Sequence, residues 1–373
     1  MSKTISLGEA VKALNQKYNS KVVRTGKEVP DVVRVPTGYP SLNYVLGGGM
    51  PLRRKLEVVG PFSSGKSFFM YKLIVAFQHY DFANNVPGVI KKIHFDRDKM
   101  VIKKIDLVDG YKPVKPPEAG IPALIDYEGS HDPVWAAKLG VDNDALIVMQ
   151  PESGAMALNA MEMLTLTDIV SLICLDSVAA MAPEAELEAD LEGSVQMGAM
   201  QRMIGKATRK LTSALNSSSN GKIAYYMINR KYNKMSMYGG SQVFGGEALS
   251  LFKDIALELS VKLVKEKEVT VGKFIGIKNT KNKTGAAHRE VEVYLDLVGN
   301  EFTDKNDLDI VTQIVDLSIE HGIVKRRGSY FSYYSITEQG KEAFIKALIN
   351  TVDEDDRTYL SWLESELNDE MNK

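Results

Sequence analysis

The chain is poor in the residues that build metal centres and disulfide frameworks. Its 373 residues include one cysteine, Cys174, and five histidines, and no Cys/His cluster has metal-ligand spacing. A disulfide scaffold and a structural zinc site are therefore excluded, and any metal is expected to arrive with a ligand. Cys174 lies in the run Leu172-Ile173-Cys174-Leu175, where it reads as a small core residue of a protein in a reducing compartment. No apolar run is long enough to span a bilayer, and Met1 to Leu14 lacks the apolar core of a signal peptide. A cytoplasmic protein with no membrane partner is the expectation. An excess of one charge is missing too, since 46 Lys and Arg face 48 Asp and Glu. That balance is uneven along the chain: residues 89–117 are basic, whereas the end begins Asp353-Glu354-Asp355-Asp356. Near neutrality thus does not exclude a nucleic-acid partner.

What is present begins with Gly60-Pro61-Phe62-Ser63-Ser64-Gly65-Lys66-Ser67, which fits G-x-x-x-x-G-K-[ST] at every fixed position. Before it, Lys55 to Val59 ends in β-branched residues, as a buried strand does. After it, Ser67 to Tyr80 carries Phe68, Phe69, Leu73, Ile74, Ala76 and Phe77 in a helical pattern. Such a loop aims backbone N–H groups at phosphate oxygens, and the helix N-terminus adds positive potential. Lys66 is expected to reach the β- and γ-phosphates and Ser67 to ligate Mg²⁺. A chance glycine-rich turn would not need the strand before it or the helix after it, so binding of ATP or GTP is expected.

The length predicts two or three domains. Residues 1–34 hold a short amphipathic helix with Val11, Leu14 and Tyr18 on one face, then the extended Lys21-Val22-Val23-Arg24. This block is too small for a core of its own and reads as an oligomerisation segment, packing on this chain or a neighbour. Residues 35–303 alternate strands and helices, which predicts an α/β fold with a mostly parallel central sheet. Strands are expected at 55–60, 122–127, 145–149, 171–176 and 222–228, with 255–264, 271–278 and 290–297 as an antiparallel extension. Residues 81–119 interrupt this rhythm with Lys91-Lys92-Ile93-His94-Phe95, Met100 to Ile105 and a proline-rich exit, a pattern that predicts an inserted basic hairpin. Residues 304–352 read as a small α+β C-terminal domain, with patterns at Val311 to Gly322, Ser329 to Ile336 and Glu338 to Ile349; residues 353–373 read as an acidic tail.

Ile173-Cys174-Leu175-Asp176-Ser177 is an apolar strand ending in a carboxylate, placed to hold Mg²⁺ through a water. Leu124-Ile125-Asp126-Tyr127-Glu128 is a second buried strand ending in acids. Spacing alone leaves Glu128 as either the base that deprotonates an attacking water or a loop carboxylate. Trp135, after Asp132-Pro133, either stacks on a base or packs in the core. Glu188 to Gly198 is a polar loop. Residues 231–246 combine lysines, aromatics and glycines with no helical or strand period, which suits a sugar-phosphate backbone and unstacked bases. Lys278, Lys281, Lys283 and Arg289 form a cluster whose ordinary reading is a solvated charge run.

Taken together, the loop at 60–67, Asp126-Tyr127-Glu128, Asp132 to Val141, Asp176-Ser177-Val178-Ala179-Ala180 and Lys281-Asn282-Lys283 resemble the RecA/UvsX family of DNA recombinases in order and spacing. The likeness runs from about residue 8 to about 340, apart from 81–119. It implies a RecA-type ATPase core that uses ATP and Mg²⁺ and forms homo-oligomeric helical filaments on single-stranded DNA. Pairing and strand exchange with double-stranded DNA, and loader and single-strand-binding proteins as partners, follow from the same likeness. The alternative is a hexameric helicase-type motor on the same core.

The resemblance makes Glu128 the catalytic carboxylate, with Lys66, and puts Lys281 and Lys283 on the γ-phosphate of the neighbouring subunit. Gly60, Pro61, Ser63, Ser64, Gly65, Lys66 and Ser67 would cradle the phosphates, Ser67 and Asp176 would hold the metal, and Asp132 and Trp135 would take the adenine place. DNA would lie against Met197 and Gly198 of a first loop, Arg202 and Arg209 on the next helix, and Lys234, Met235, Tyr238, Phe244, Gly245 and Gly246 of a second loop. Arg230 stands where bacterial members carry a glutamine that senses the γ-phosphate. That arginine and the insertion make the chain more like a large-phage member, for which the compartment is the host cytoplasm.

Overall fold

The computed structural model describes residues 6–18, 23–29, 31–82, 90–96, 101–107, 120–167, 169–183, 198–218, 221–233, 241–300, 302–354 and 357–371. The chain forms two units, 1–33 and 34–373. In the first, helix α1 (Leu7–Tyr18) starts at a reciprocal cap: Glu9 N donates to Ser6 Oγ at 3.3 Å, and Ser6 N donates to Glu9 Oε2 at 2.9 Å. Asn15 on α1 exchanges two hydrogen bonds of 2.8 Å with the backbone of Val23, while Leu7 and Leu14 stay exposed. Lys21 and Val22 of the expected extended piece lie outside the described residues.

The second unit opens with β1 (Arg34–Val35), α2 (Pro40–Leu46) and β2 (Met50–Pro51), then β3 (Lys55–Val59) and α3 (Lys66–Gln78). A two-stranded antiparallel hairpin, β4 (Ile90–Asp96) and β5 (Val101–Leu107), occupies the insertion. The alternation then resumes with β6 (Ile121–Asp126), α4 (Pro133–Lys138), β7 (Ile147–Met149), α5 (Gly154–Leu166), β8 (Val170–Asp176), α6 (Ala199–Ser217) and β9 (Ala224–Asn229). After it come β10 (Lys231–Asn233), β11 (Ser241–Val243), α7 (Gly246–Phe252), β12 (Ile255–Glu266), β13 (Val269–Asn282), β14 (Glu290–Asp296) and β15 (Asp307–Leu308).

One sheet of nine strands runs in the order β15-β14-β13-β12-β3-β9-β8-β6-β7. From β12 to β7 every pairing is parallel, while β12 through β15 pair antiparallel. The central strands β8 and β9 are buried along their whole length, as strands covered on both faces must be. α3, α5 and α6 supply the covering helices; Ile125, Met161, Ile173, Leu211 and Tyr225 lie in one continuous core. Among the described residues no helix is long and apolar enough to cross a membrane.

The C-terminal part contains α8 (Ile310–Glu320), a three-stranded sheet of β16 (Lys325–Arg327), β17 (Tyr330–Tyr333) and β18 (Ile336–Gln339), then α9 (Lys341–Asn350). The stretch read as an acidic tail is instead helix α10 (Tyr359–Met371). Leu363 and Leu367, one turn apart, are fully buried against Val315, Phe344 and Leu348. The acids at its start also have structural work: Asp353 accepts hydrogen bonds from Arg357 N at 2.8 Å and Trp362 Nε1 at 2.6 Å. Charge dominates this stretch by number, but the leucine spacing decides its structure.

Candidate nucleotide site

Parallel pairing puts the C-terminal ends of β3, β9, β8 and β6 on one rim of the sheet, since Val59 lies opposite Asn229, Leu175 opposite Met227 and Asp126 opposite Asp176. Ligands of open α/β sheets bind outside such carboxyl ends. The phosphate loop leaves β3 on this rim. Ser63 has a positive φ of 57° and Gly65 one of 92°. A Cβ on Gly65 would stand 3.0 Å from Ile275 and 3.3 Å from Phe69; one on Gly60 would stand 2.6 Å from Ser64 Oγ and 2.9 Å from Leu259. Packing thus requires a glycine at both positions, and at Gly65 the conformation does as well.

Lys66 folds back over the loop, where Nζ donates to Gly60 O at 2.9 Å and Pro61 O at 2.6 Å. Burial and the nearby Arg230 lower its pKa, opposed by Asp176 and Glu128. Ser64 Oγ closes the turn on Pro61 O at 2.8 Å. Ser67 Oγ donates to Asp176 Oδ2 at 3.2 Å. Burial, then the charges of Glu128 and Asp126, push Asp176 up to about 6, against the pull of Ser67 and Lys66. A hydroxyl and a destabilised carboxylate within hydrogen-bond distance make a hard oxygen donor pair that fits Mg²⁺. Among the described residues no group of three His, Cys, Asp or Glu could hold a metal alone, so phosphate oxygens and water would supply the remaining ligands.

Glu128 is fixed from two sides. Tyr127 N and Glu128 N both donate to Asp176 O, at 2.8 and 3.2 Å, tying the tip of β6 to that of β8. Its side chain accepts from Ser177 Oγ and, through both oxygens, from Arg230 Nη2 at 2.8 and 3.1 Å. The Arg230 guanidinium also lies 4.7 Å from the ring centre of Phe62, an exposed residue of the phosphate loop. Lys66, Ser67, Asp176, Glu128 and Arg230 are therefore one constellation. The Arg230–Glu128 pair and the Phe62 contact had no signal in the sequence beyond the bare presence of an arginine at the end of β9. Asp132 serves as N-cap of α4, accepting from Val134 N at 2.8 Å and Trp135 N at 3.2 Å, with Trp135 half-buried. Next to it, His131 Nδ1 meets Tyr71 OH at 3.0 Å, a contact that spacing did not suggest.

Lys281 and Lys283 are elsewhere. Lys281 lies opposite Ala256, which lies opposite Glu57 in the middle of β3, and Lys283 N donates to Asp254 O beside the start of β3. At about 3.3 Å per residue, roughly 10 Å of strand separates Glu57 from Gly60, and the lysine side chains point to the far end. Lys281 Nζ donates to Ser250 O at 2.7 Å; Lys283 Nζ donates to Asp254 Oδ1 at 3.3 Å and Leu251 O at 3.4 Å. The other two cations of the cluster are local: Lys278 pairs with Glu290 at 3.1 Å, and Arg289 donates to Tyr44 O at 2.8 Å.

The second of the two loop segments leaves the nucleotide rim, directly after β9 and Arg230. Of the first, Met197 lies outside the described residues, and Gly198 caps α6 with a φ of 82°. Arg202 and Arg209, two turns apart on α6, are exposed on its outer face. Lys234, Met235 and Tyr238 lie outside the described residues. The expectation that 231–246 is structureless is corrected at its stems: β10 and β11 pair antiparallel, with Lys231 opposite Val243. Each paired stretch is only three residues long, too short to display a period, so pairing was not legible. Phe244 N donates to Arg230 O at 3.1 Å; Gly245 and Gly246 have positive φ, and a Cβ on Gly245 would meet Leu249 at 2.7 Å.

Comparison with known proteins points to one family. The family model described as the RecA N-terminal domain matches residues 115–301. Protein RecA of Chlorobium limicola is 32% identical over 355 residues, covering 93% of this chain and 87% of its own length. Protein RecA of Chlorobaculum tepidum is 32% identical over 334 residues, with 88% and 82% covered. Protein RecA of Kineococcus radiotolerans is 31% identical over 344 residues, with 90% and 85% covered.

Proposed function

The chain belongs to the RecA family, and from that premise we propose that it is a DNA-dependent ATPase and recombinase. In this reading it assembles head to tail on single-stranded DNA, pairs that strand with a homologous duplex and exchanges strands. One observation carries the reading: the cradle and its carboxylates stand on one rim of the sheet, and the lysine pair stands on the other. A single subunit then holds half a site, and a second copy completes it.

At the cradle, the loop N–H groups and Lys66 bind the phosphates, with Lys66 exchanging the Gly60 and Pro61 carbonyls for phosphate oxygens. Ser67 and Asp176 would hold Mg²⁺, which when bound would neutralise developing charge on the phosphates. Glu128 accepts a proton from the attacking water once Arg230 gives up its two hydrogen bonds to the carboxylate. Arg230 then turns toward the γ-phosphate. Because Arg230 O also holds Phe244 N across the stem of the 231–246 loop, its movement is felt where DNA binds. Lys281 and Lys283 serve the neighbour's phosphate as a trans cation does.

Apolar surface supports the assembly. β7 is an edge strand with Ile147 and Val148 exposed, and Met163 and Leu166 of α5 and Ile169 just before β8 are more than half exposed. A free edge and exposed apolar side chains are a template for an added strand and an amphipathic helix, the two elements expected from the sequence of residues 1–34 of a second copy. ATPase assays with and without single-stranded DNA, combined with electron microscopy, test the reading. DNA-stimulated turnover and helical filaments are expected; six-membered rings would favour the helicase-type motor instead.

A further inference from the structure

Glu57 sits in the middle of β3, three residues before the phosphate loop, and is completely buried between Leu56 and Val58. Its Oε2 accepts from Lys253 Nζ, and its Oε1 accepts from Asn229 Nδ2 at 2.7 Å. Asn229, also fully buried, spends its remaining groups on the 231–246 loop. Its Nδ2 donates to Phe244 O at 2.8 Å on the outgoing stem, and its Oδ1 accepts from Arg230 N at 2.8 Å at the incoming one.

Lys253 reaches the other rim. It follows α7 directly, and the last carbonyls of α7, Ser250 O and Leu251 O, are the acceptors for Lys281 and Lys283. The next residue, Asp254, accepts from Lys283 at 3.3 Å and pairs with Lys55 at 2.9 Å. One buried carboxylate is thereby joined to both stems of the loop and, through Lys253 and α7, to the lysine pair. A buried ion pair contributes little net stability over apolar side chains of similar volume, so stability alone gives no reason for its presence.

We propose that Glu57, Asn229 and Lys253 form a positioning node that couples occupancy of the 231–246 loop by single-stranded DNA to the placement of Lys281 and Lys283 against the neighbouring subunit. The proposal rests on the recombinase reading. None of the three touches nucleotide or DNA; they act through the residues they hold. Movement of the loop stems displaces Asn229, Glu57 follows it, and Lys253 carries the shift to the last turn of α7.

The test compares two double variants of the full chain. Glu57→Met with Lys253→Met replaces the pair by apolar side chains; Glu57→Gln with Lys253→Gln keeps hydrogen bonding without charge. Both are expected to match the wild type in thermal midpoint, in binding of a fluorescent ATP analogue and in DNA-free turnover. Stimulation of turnover by a poly-deoxythymidine strand is expected to fall about tenfold in the Met pair and to be largely retained in the Gln pair, a coupling of ordinary size. Full stimulation in a folded Met pair overturns the proposal and leaves the recombinase reading intact. If the Met pair does not fold, Glu57→Gln alone carries the test, since it strands the Lys253 charge; unchanged stimulation there is equally fatal. A wild type that DNA does not stimulate removes the recombinase reading, and the node falls with it.

Discussion

The two rims of the sheet use lysine in the same way and to different ends. On the cradle rim, Lys66 rests on the carbonyls of Gly60 and Pro61. On the opposite rim, Lys281 rests on the carbonyl of Ser250, and Lys283 on that of Leu251 and on the Asp254 carboxylate. Backbone carbonyls are neutral partners that a phosphate, bringing full negative charge, displaces readily. Lys66 needs only a side-chain rotation to meet a phosphate in its own cradle. The ammonium groups of the other two point to the opposite end of the sheet, so in the proposed assembly the phosphate they serve belongs to another copy. Burial, then the neighbouring charges of Lys283 and Lys253, also lower the pKa of Lys281, against the opposing pull of Asp254 and Glu57. In the proposed assembly, one sheet thus separates a nucleotide site into a half that binds and a half that completes.

The comparison breaks most sharply at Lys66. Lys66→Ala is expected to lower DNA-stimulated ATP hydrolysis by roughly 10³-fold or more, because the loop cation at the transferring phosphate is lost. Near-normal steady-state turnover would remove the cradle from the mechanism. Next in size is Glu128→Gln, which keeps the shape and the Ser177 contact but cannot accept a proton. Turnover should drop by roughly 10²- to 10³-fold while nucleotide and DNA binding persist. Dissociation from labelled DNA after ATP is withdrawn should then be slower than in the wild type.

Arg230→Gln sharpens the difference between the rims, since it frees Glu128 without touching Lys281 or Lys283. The pair it removes is partly exposed, with side-chain accessibilities of 40% and 24%. A pair of that exposure is worth about 1 kcal/mol, so DNA-free turnover should rise roughly fivefold. A fall would mean that Arg230 contributes more at the phosphate than it withholds at the carboxylate. Away from both rims, Leu363→Ala should leave turnover unchanged and destabilise the C-terminal part by about 2–5 kcal/mol, read as an earlier unfolding transition in urea. A segment that is only an acidic tail would show no such loss.

What was legible in the sequence follows from range. The cradle is a local pattern, so Gly60 to Ser67 are recognisable, with their strand and helix, from adjacent residues alone. Asp176 was legible because a fully buried strand must be apolar until it ends, and the acid marks that end. The bond from Arg230 to Glu128 spans 102 residues, and nothing in either neighbourhood announces it. The position of Lys281 and Lys283 on the far rim depends on the register of β12 against β3, which no spacing encodes. α10 was obscured by composition. Its acids are many and its buried leucines few, but burial of an apolar stripe outweighs a solvated face. The membership of Glu57 in a polar node was equally hidden, because a lone acid in a strand reads as a residue facing solvent.

The central claim is that each nucleotide site is completed by a second copy, and mixing two inactive variants tests it most directly. Lys66→Ala lacks a working cradle and keeps the lysine pair. The double variant Lys281→Ala with Lys283→Ala keeps the cradle and lacks the pair, and alone it should lose roughly 10³-fold in DNA-stimulated turnover. At interfaces where the intact cradle of one meets the intact lysines of the other, the mixture should recover a measurable fraction of wild-type ATPase activity. A mixture that stays inactive, although both variants are shown to co-assemble on the same DNA, would contradict the claim.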